Sequence, residues 1–178
     1  MSRIGKQIIE IPAKVEVSFD GRTMRIKGPL GELVREFKSD IEIKIENNHV
    51  TLKPKIETIF TRSLWGTYAA HIINMIKGVT EGYAKKMTIE GVGYKVELKG
   101  AQLIFALGFS HLVPLDIPKG VKAVVEKNTL TISGSDKDLV GQFSAQIVAN
   151  KPPEPYKGKG IIYAGQVVRR KQGKRSVA

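Results

Sequence analysis

Apolar and polar positions alternate in two rhythms along this chain. Ile41, Ile43 and Ile45 are interleaved with Glu42, Lys44 and Glu46, and a side-chain period of two gives a strand with one buried face. Val15–Phe19 alternates more weakly and runs into Asp20-Gly21, a turn signal. Thr23–Lys27 and Glu32–Phe37 flank Gly28-Pro29-Leu30-Gly31, which predicts a hairpin. Asn47-Asn48 turns the chain again and His49–Leu52 returns as a strand. Pro54 ends that run, because proline cannot donate to a ladder. Between Thr58 and Lys77 the rhythm changes. Leu64, Trp65, Tyr68, Ala69, Ile72, Ile73 and Ile76 recur at three- and four-residue steps, the spacing of an amphipathic helix. Thr58 or Thr61 is expected to cap its start and Gly78 its end.

The second half repeats the grammar. Tyr94–Lys99, Gly100 and Ala101–Leu107 predict a hairpin, and Val121–Glu126 with Thr129–Ser133 a pair turning at Lys127-Asn128. A helix follows, with Leu139, Phe143 and Ile147 at four-residue steps, a capping box expected at Ser135-Asp136-Lys137-Asp138 and a stop at Pro152-Pro153. The halves can be superposed. Lys27-Gly28 matches Lys99-Gly100, Asn48–Leu52 matches Asn128–Ile132, and Gly66 with Ile72-Ile73 matches Gly141 with Ile147-Val148. The offsets of 72, 80 and 75 residues drift, as in a degenerate duplication with altered loops. The expected fold is α+β: two similar small domains, each an antiparallel-rich sheet with one packed helix, plus a basic C-terminal arm. The domains are placed at residues 1–81 and 82–178, the boundary near Gly78–Tyr83, with the arm at 151–178.

Composition narrows the function classes. The absence of cysteine excludes disulfides, thiol catalysis and Cys-ligated zinc. No run approaches the roughly 18 apolar residues of a membrane helix, and the start carries no apolar targeting segment. A soluble intracellular protein is expected, and the missing cysteines are compatible with a reducing cytoplasm. The net charge is +12, and its distribution says more than its size. Residues 151–178 hold eight basic side chains and one acidic one, so 7 of the 12 excess charges sit in this block. Mere solubility would scatter the charge; a concentrated block points to a polyanionic partner, nucleic acid or an anionic membrane surface.

Catalytic and cofactor readings find little support. His49, His71 and His111 share no metal-ligand spacing. Gly158-Lys159-Gly160 lacks the spacer and hydroxyl of a P-loop, and Gly91-Val92-Gly93 precedes a strand, where a bend is the simpler reading. No enzyme activity, metal or cofactor is expected. Trp65 lies on the apolar stripe of its helix and reads as packing rather than base stacking.

The best chemistry lies after Lys151-Pro152-Pro153-Glu154-Pro155, whose prolines predict an extended backbone. In Tyr156-Lys157-Gly158-Lys159-Gly160, two lysines two apart on such a backbone project to one side. Gly158 and Gly160 would let the main chain approach a phosphate with its N–H groups free to donate, and Tyr156 could stack on a base or sugar. Ile161–Tyr163 is a short strand candidate, and Arg169, Arg170, Lys171, Lys174 and Arg175 form a solvated tail. The predicted cores end with the second helix, with Ile161–Tyr163 packed back on the sheet as the alternative; removal of residues 151–178 is expected to leave both domains folded but to weaken RNA binding. Neither helix has a basic face to enter a DNA major groove, and the tail lacks the amphipathic pattern of a membrane-surface helix. Structured RNA, recognised through shape and phosphate placement, fits better.

The segment Lys151-Pro152-Pro153-Glu154-Pro155-Tyr156-Lys157-Gly158-Lys159-Gly160-Ile161 resembles the signature of the ribosomal protein L6 (uL6) family of the bacterial large subunit. Met1–Lys6, Lys27–Leu33, Asn74-Met75 with Gly78–Gly82, Gly91–Tyr94 and Leu107–His111 resemble the same family in the same order. The resemblance implies two similar α+β domains and no catalytic activity. It also implies binding to 23S ribosomal RNA near the stalk base and the sarcin–ricin hairpin, beside neighbouring large-subunit proteins and close to where translation GTPases dock. Carried onto this chain, the signature marks Lys151, Tyr156, Lys157, Gly158, Lys159 and Gly160 as RNA-binding, and the charge of the tail adds Arg169, Arg170, Lys171, Lys174 and Arg175 to the expected contacts. The chain departs from the family pattern at Ile162, where a basic residue is common, at Leu112, where proline is usual, and at Ala69, where arginine is common.

Overall fold

A computed structural model describes residues 3–46 and 48–174 and divides the chain into two compact units. The first is Met1–Tyr83 with Ser135–Lys137, and the second Ala84–Gly134 with Asp138–Ala178.

In the first unit, β2 (Glu16–Phe19), β3 (Thr23–Gly28) and β4 (Gly31–Glu36) form an antiparallel meander. A second sheet has the order β1-β6-β5, from β1 (Ile9–Glu10), β6 (His49–Pro54) and β5 (Ile41–Glu46). The period-two reading of β5 holds for Ile41 and Ile43, which are buried, whereas Ile45 at the hairpin end of the row is exposed. Asn48 takes up the left-handed conformation of the turn (φ 61°), and Asn47 lies outside the described residues. Two-residue β1 has too little pattern to be read from sequence.

Helix α1 (Ile59–Thr80) starts where expected. The Thr58 hydroxyl accepts from the Thr61 N–H at 3.1 Å, and the Thr61 hydroxyl accepts from the Thr58 N–H at 2.9 Å, a reciprocal cap. Its end differs from the expectation. Gly78 lies inside the helix, and the left-handed glycine is Gly82 (φ 76°), whose N–H reaches the Lys77 carbonyl at 3.3 Å. The extra turn buries Val79 completely. Tyr68, Ala69, Ile72, Met75, Ile76 and Val79 join Met24, Ile26, Val50 and Leu52 in one core. Trp65 packs against it and donates from Nε1 to the Leu52 carbonyl at 2.9 Å, which supports the packing reading. Ala69, one of the expected departures, is fully buried and is a core position here. Burial, then the Glu81 carboxylate, raise the Tyr83 phenol above its ordinary range, because both disfavour the phenolate.

A β-carbon on Gly28, at the end of β3, would lie 2.6 Å from Val79 Cγ2 and 2.9 Å from the Val79 carbonyl oxygen. Strand and helix therefore meet backbone to side chain there. Gly28→Ala is expected to cost about 1–3 kcal/mol through overpacking, read as a lower urea midpoint of Trp65 fluorescence. An unchanged midpoint would show that the contact relaxes freely.

The arrangement recurs in the second unit. There β10 (Val113–Asp116), β9 (Gln102–Ala106) and β8 (Lys95–Lys99) make the three-stranded sheet, with Gly100 left-handed (φ 60°) in the β8–β9 turn. A four-stranded sheet has the order β11-β12-β7-β13, from β11 (Val121–Glu126), β12 (Thr129–Gly134), β7 (Tyr83–Glu90) and β13 (Gly160–Tyr163). Its β7-β12-β11 portion matches β1-β6-β5. One backbone bond even repeats: Ile11 N–H to the Asn48 carbonyl and Ile89 N–H to the Asn128 carbonyl, both at 2.8 Å. Among the described residues, strand β13 has no counterpart in the first unit.

Helix α2 (Lys137–Asn150) buries Val140, Phe143, Ser144 and Ile147. Leu139, expected on the buried stripe, is exposed. Four-residue steps drift by about 40° each on a helix of 3.6 residues per turn, so Leu139 falls off the face that Val140 occupies. The buried Ser144 hydroxyl donates to the Gly141 carbonyl at 2.8 Å and lies 3.4 Å from the Tyr163 hydroxyl, beside β13.

Candidate nucleic-acid interface

The signature segment is built from the end of α2 upward. Pro152 and Pro153 halt the helix after Asn150, and the chain folds back on itself rather than running straight. Pro155–Lys157 form a turn. The Gly158 N–H donates to the Glu154 carbonyl at 2.9 Å, the Glu154 N–H to the Lys159 carbonyl at 2.8 Å, and the Ile161 N–H to the Lys151 carbonyl at 2.9 Å. Three backbone bonds thus hold two limbs side by side. The extended backbone expected from the proline pattern is corrected: proline fixes its own φ, but Gly158 (φ 73°) and Gly160 (φ 145°) supply the reversals.

The roles of the glycines change with it. Gly158 and Gly160 are buried, and the Gly158 N–H is already bonded within the loop. A β-carbon on Gly158 would lie 3.0 Å from Arg170 Nε, and one on Gly160 would lie 2.7 Å from the Pro152 carbonyl oxygen and 2.8 Å from Pro153 Cα. The close approach that these glycines permit is made by the chain itself. Gly160→Ala therefore meets both a left-handed φ and a backbone collision; it is expected to destabilise the second unit by about 1–3 kcal/mol, visible as an earlier loss of far-UV circular dichroism on heating.

What the loop presents outward is basic and aromatic. Tyr156 and Lys157 are exposed on the turn, and Lys159 is half-buried on the returning limb. Arg170 packs over Gly158, and the Lys171 N–H donates to the Pro155 carbonyl at 2.7 Å. Five of the expected residues (Tyr156, Lys157, Lys159, Arg170 and Lys171) therefore belong to one folded-back element with Gly158 and Gly160. Arg169 and Lys174 are exposed on the following segment, and Arg175 lies outside the described residues. Lys151 stands at the base, its ammonium 4.5 Å from the Phe109 ring centroid and 6.0 Å from that of Tyr94. The returning limb becomes β13, with Ile161 fully buried in the second core and Ile162 buried as well. The core therefore does not end with α2, and the alternative, Ile161–Tyr163 packed back on the sheet, is the arrangement present. Ile162, another of the expected departures, is a buried apolar side chain.

Sequence reasoning did not connect Tyr94, Phe109 and His111 with this loop. Phe109 and His111 stack with centroids 5.9 Å apart and planes 15° apart. Tyr94 lies over Gly91 and Gly108, whose added β-carbons would be 2.5 Å and 3.2 Å from its ring. A glycine beside each aromatic, in Gly93-Tyr94 and Gly108-Phe109, was the available signal, but it does not reveal that the two turns meet.

The other two histidines, His71 and His49, sit on a helix and a strand of the first unit. Arg35 Nη1 donates to His71 Nδ1 at 2.8 Å between β4 and α1, and His49 opens β6. Among the described residues no group of three or more His, Cys, Asp or Glu could hold a metal, and no helix is long and apolar enough to cross a membrane.

Known proteins give these features a context. The profile of the family described as Ribosomal protein L6 matches residues 11–82 and again residues 90–164. A protein of Bradyrhizobium sp. (strain ORS 278) named large ribosomal subunit protein uL6 is 48% identical over 176 residues, covering 98% of this chain and 99% of its own length. Proteins of the same name from Campylobacter jejuni (strain RM1221) and Nostoc sp. (strain PCC 7120) are 48% and 45% identical, covering 99% and 98% of this chain and 99% and 96% of their own lengths.

Proposed function

The chain belongs to the ribosomal protein L6 family, and from that membership we propose that it is a structural constituent of the large ribosomal subunit, holding 23S ribosomal RNA near the stalk base and the sarcin–ricin region. The observation that carries the reading is the folded-back basic element of residues 151–171, welded to the second core through Ile161. A lysine gives a phosphate a point charge without reading a base, and an arginine can fork onto phosphate oxygens. Lys151, Lys157, Lys159, Arg169, Arg170, Lys171, Lys174 and Arg175 supply that charge, and Tyr156 lies exposed among them. The task is positional. RNA helices are fixed by charge neutralisation and shape, and no bond is made or broken.

In this reading the protein works in the cytoplasm within the ribosome. Neighbouring large-subunit proteins at the stalk base are its protein partners, and translation GTPases act nearby. Two rivals are an RNA-modifying enzyme that uses the basic element for capture and an RNA-binding regulator outside the ribosome. Sucrose-gradient sedimentation of the tagged chain from its own cells separates them. Association with 50S particles that survives a high-salt wash is expected; recovery only in slow-sedimenting fractions would overturn the proposal.

A further inference from the structure

We propose that Phe109 and His111 form a stacking seat for an unpaired RNA base, with Lys151 gripping the phosphate beside it. The inference rests on the RNA-binding reading above and adds a second kind of contact to it.

Phe109 is 44% exposed and His111 is exposed beside it, although the second core buries its other phenylalanines, Phe105 and Phe143. The loop that carries them is held from below. Tyr94 fills the space that Gly91 and Gly108 leave open, so the Gly108-Phe109 turn rests on a ring rather than on solvent. The two exposed rings lie within 15° of parallel as an offset pair, a step across which a flat base can lie, because every base has a π face. A cation completes the seat: Lys151 Nζ lies 4.5 Å from the Phe109 centroid. An ammonium there strengthens an aromatic platform and remains a donor to a phosphate.

Register with the phosphate-binding loop argues that the occupant is RNA and not a protein side chain. The Lys151 carbonyl accepts from the Ile161 N–H, so the residue beside the rings is also a backbone anchor of the loop that carries Lys157 and Lys159. A strand whose phosphates follow that loop reaches the rings at its base. Unstacked bases presented from a structured RNA suit such a surface, since sequence-tolerant stacking next to basic side chains is how single-stranded segments are held.

The test uses the full chain and a large-subunit RNA fragment containing the sarcin–ricin region. Phe109→Ala is expected to weaken binding by roughly tenfold, within the range for loss of one base–aromatic stack, without changing the slope of log affinity against log salt. Lys151→Ala should lower that slope by about 0.7–0.9. Phe109→Trp should keep the affinity, and its added emission should be quenched when RNA binds; the single native tryptophan, Trp65 in the first unit, supplies the background. Phe109→Leu separates stacking from apolar contact: affinity close to that of Phe109→Ala supports the seat. Wild-type affinity in Phe109→Ala together with an unquenched Phe109→Trp would overturn it, leaving the basic loop in place as the binder. Failure of the unmodified protein to bind the fragment at any salt would instead remove the RNA-binding reading, and the seat with it.

Discussion

Replacing Ile161 with alanine is expected to destabilise the second unit by about 2–5 kcal/mol, the cost of emptying a fully buried aliphatic site, while the first unit keeps its stability. Ile161 has no solvent exposure and sits in the core formed by Met87, Ile89, Phe105, Leu130 and Phe143. Its strand pairs with β7 through Ile161–Ile89 and Ile162–Thr88, so the substitution also loosens a sheet edge. Two probes distinguish the units. Trp65 reports on the first, and far-UV circular dichroism reports on both. In urea, the variant should lose part of its dichroism well before the Trp65 signal changes. Ile161→Val should cost only about 0.5–1.5 kcal/mol. Deletion of residues 151–178 should have the larger effect, because it removes Ile161, Ile162 and the whole of β13 together. Superimposed transitions for wild type and Ile161→Ala would show that β13 contributes no stability.

The second large effect concerns charge. Substituting Lys157 and Lys159 together with alanine is expected to lower the slope of log affinity against log salt by about 1.4–1.8, from roughly 0.7–0.9 for each phosphate neutralised. Between 50 mM and 200 mM salt that slope amounts to about a tenfold difference in how far the two proteins diverge. The loss should be greatest at low salt and similar across related RNA sequences, because phosphates carry no base identity. Replacement of both by arginine should keep most of the charge term while altering its geometry. Since Lys157 is exposed on the turn and Lys159 is half-buried on the returning limb, the single variants need not be equal. Filter binding at several salt concentrations, with the fold checked by circular dichroism, decides the matter. An unchanged slope in the folded double variant would remove both lysines from the interface.

The elements most legible in the sequence were those with a one-sided periodicity. Helix α1 and the hairpins β3–β4, β8–β9 and β11–β12 all had an apolar period or a turn signal strong enough to place them. Strand β7 was not placed, since Tyr83-Ala84-Lys85-Lys86 reads as polar and only Met87 and Ile89 are fully committed to the core. The end of α1 was misplaced because a glycine is read as a stop unless something shows that the helix needs the space. That something was the burial of Val79, a tertiary fact. At the candidate site the basic residues were legible from charge density alone. Their arrangement was not, because the loop is closed by backbone bonds among residues 151, 154, 158, 159 and 161, which leave no trace in side-chain pattern. The aromatic pair was hidden for a related reason: its residues and Lys151 come from separate stretches, and only the fold brings them together.

The late position of β13 has a consequence for biosynthesis. The pairs Glu90–Gly160 and Met87–Tyr163 join residues 70 and 76 positions apart, so β7 leaves the translating ribosome long before its edge partner exists. Domains fold as units in the order they are made. The first unit, almost all of it contained in residues 1–83, can therefore close early, while the second waits with one strand edge open. Open edges recruit other chains, and charged side chains beside them act as gatekeepers. Lys85 and Lys86 occupy that position on β7. The nascent chain thus carries its own guard against aggregation until residues 160–163 arrive, and the segment that closes the fold also completes the loop proposed to grip RNA. On that proposal, a copy that lacks the RNA-contacting segment is also a copy left unfinished, open to proteolysis before it can compete for a place in an assembling particle.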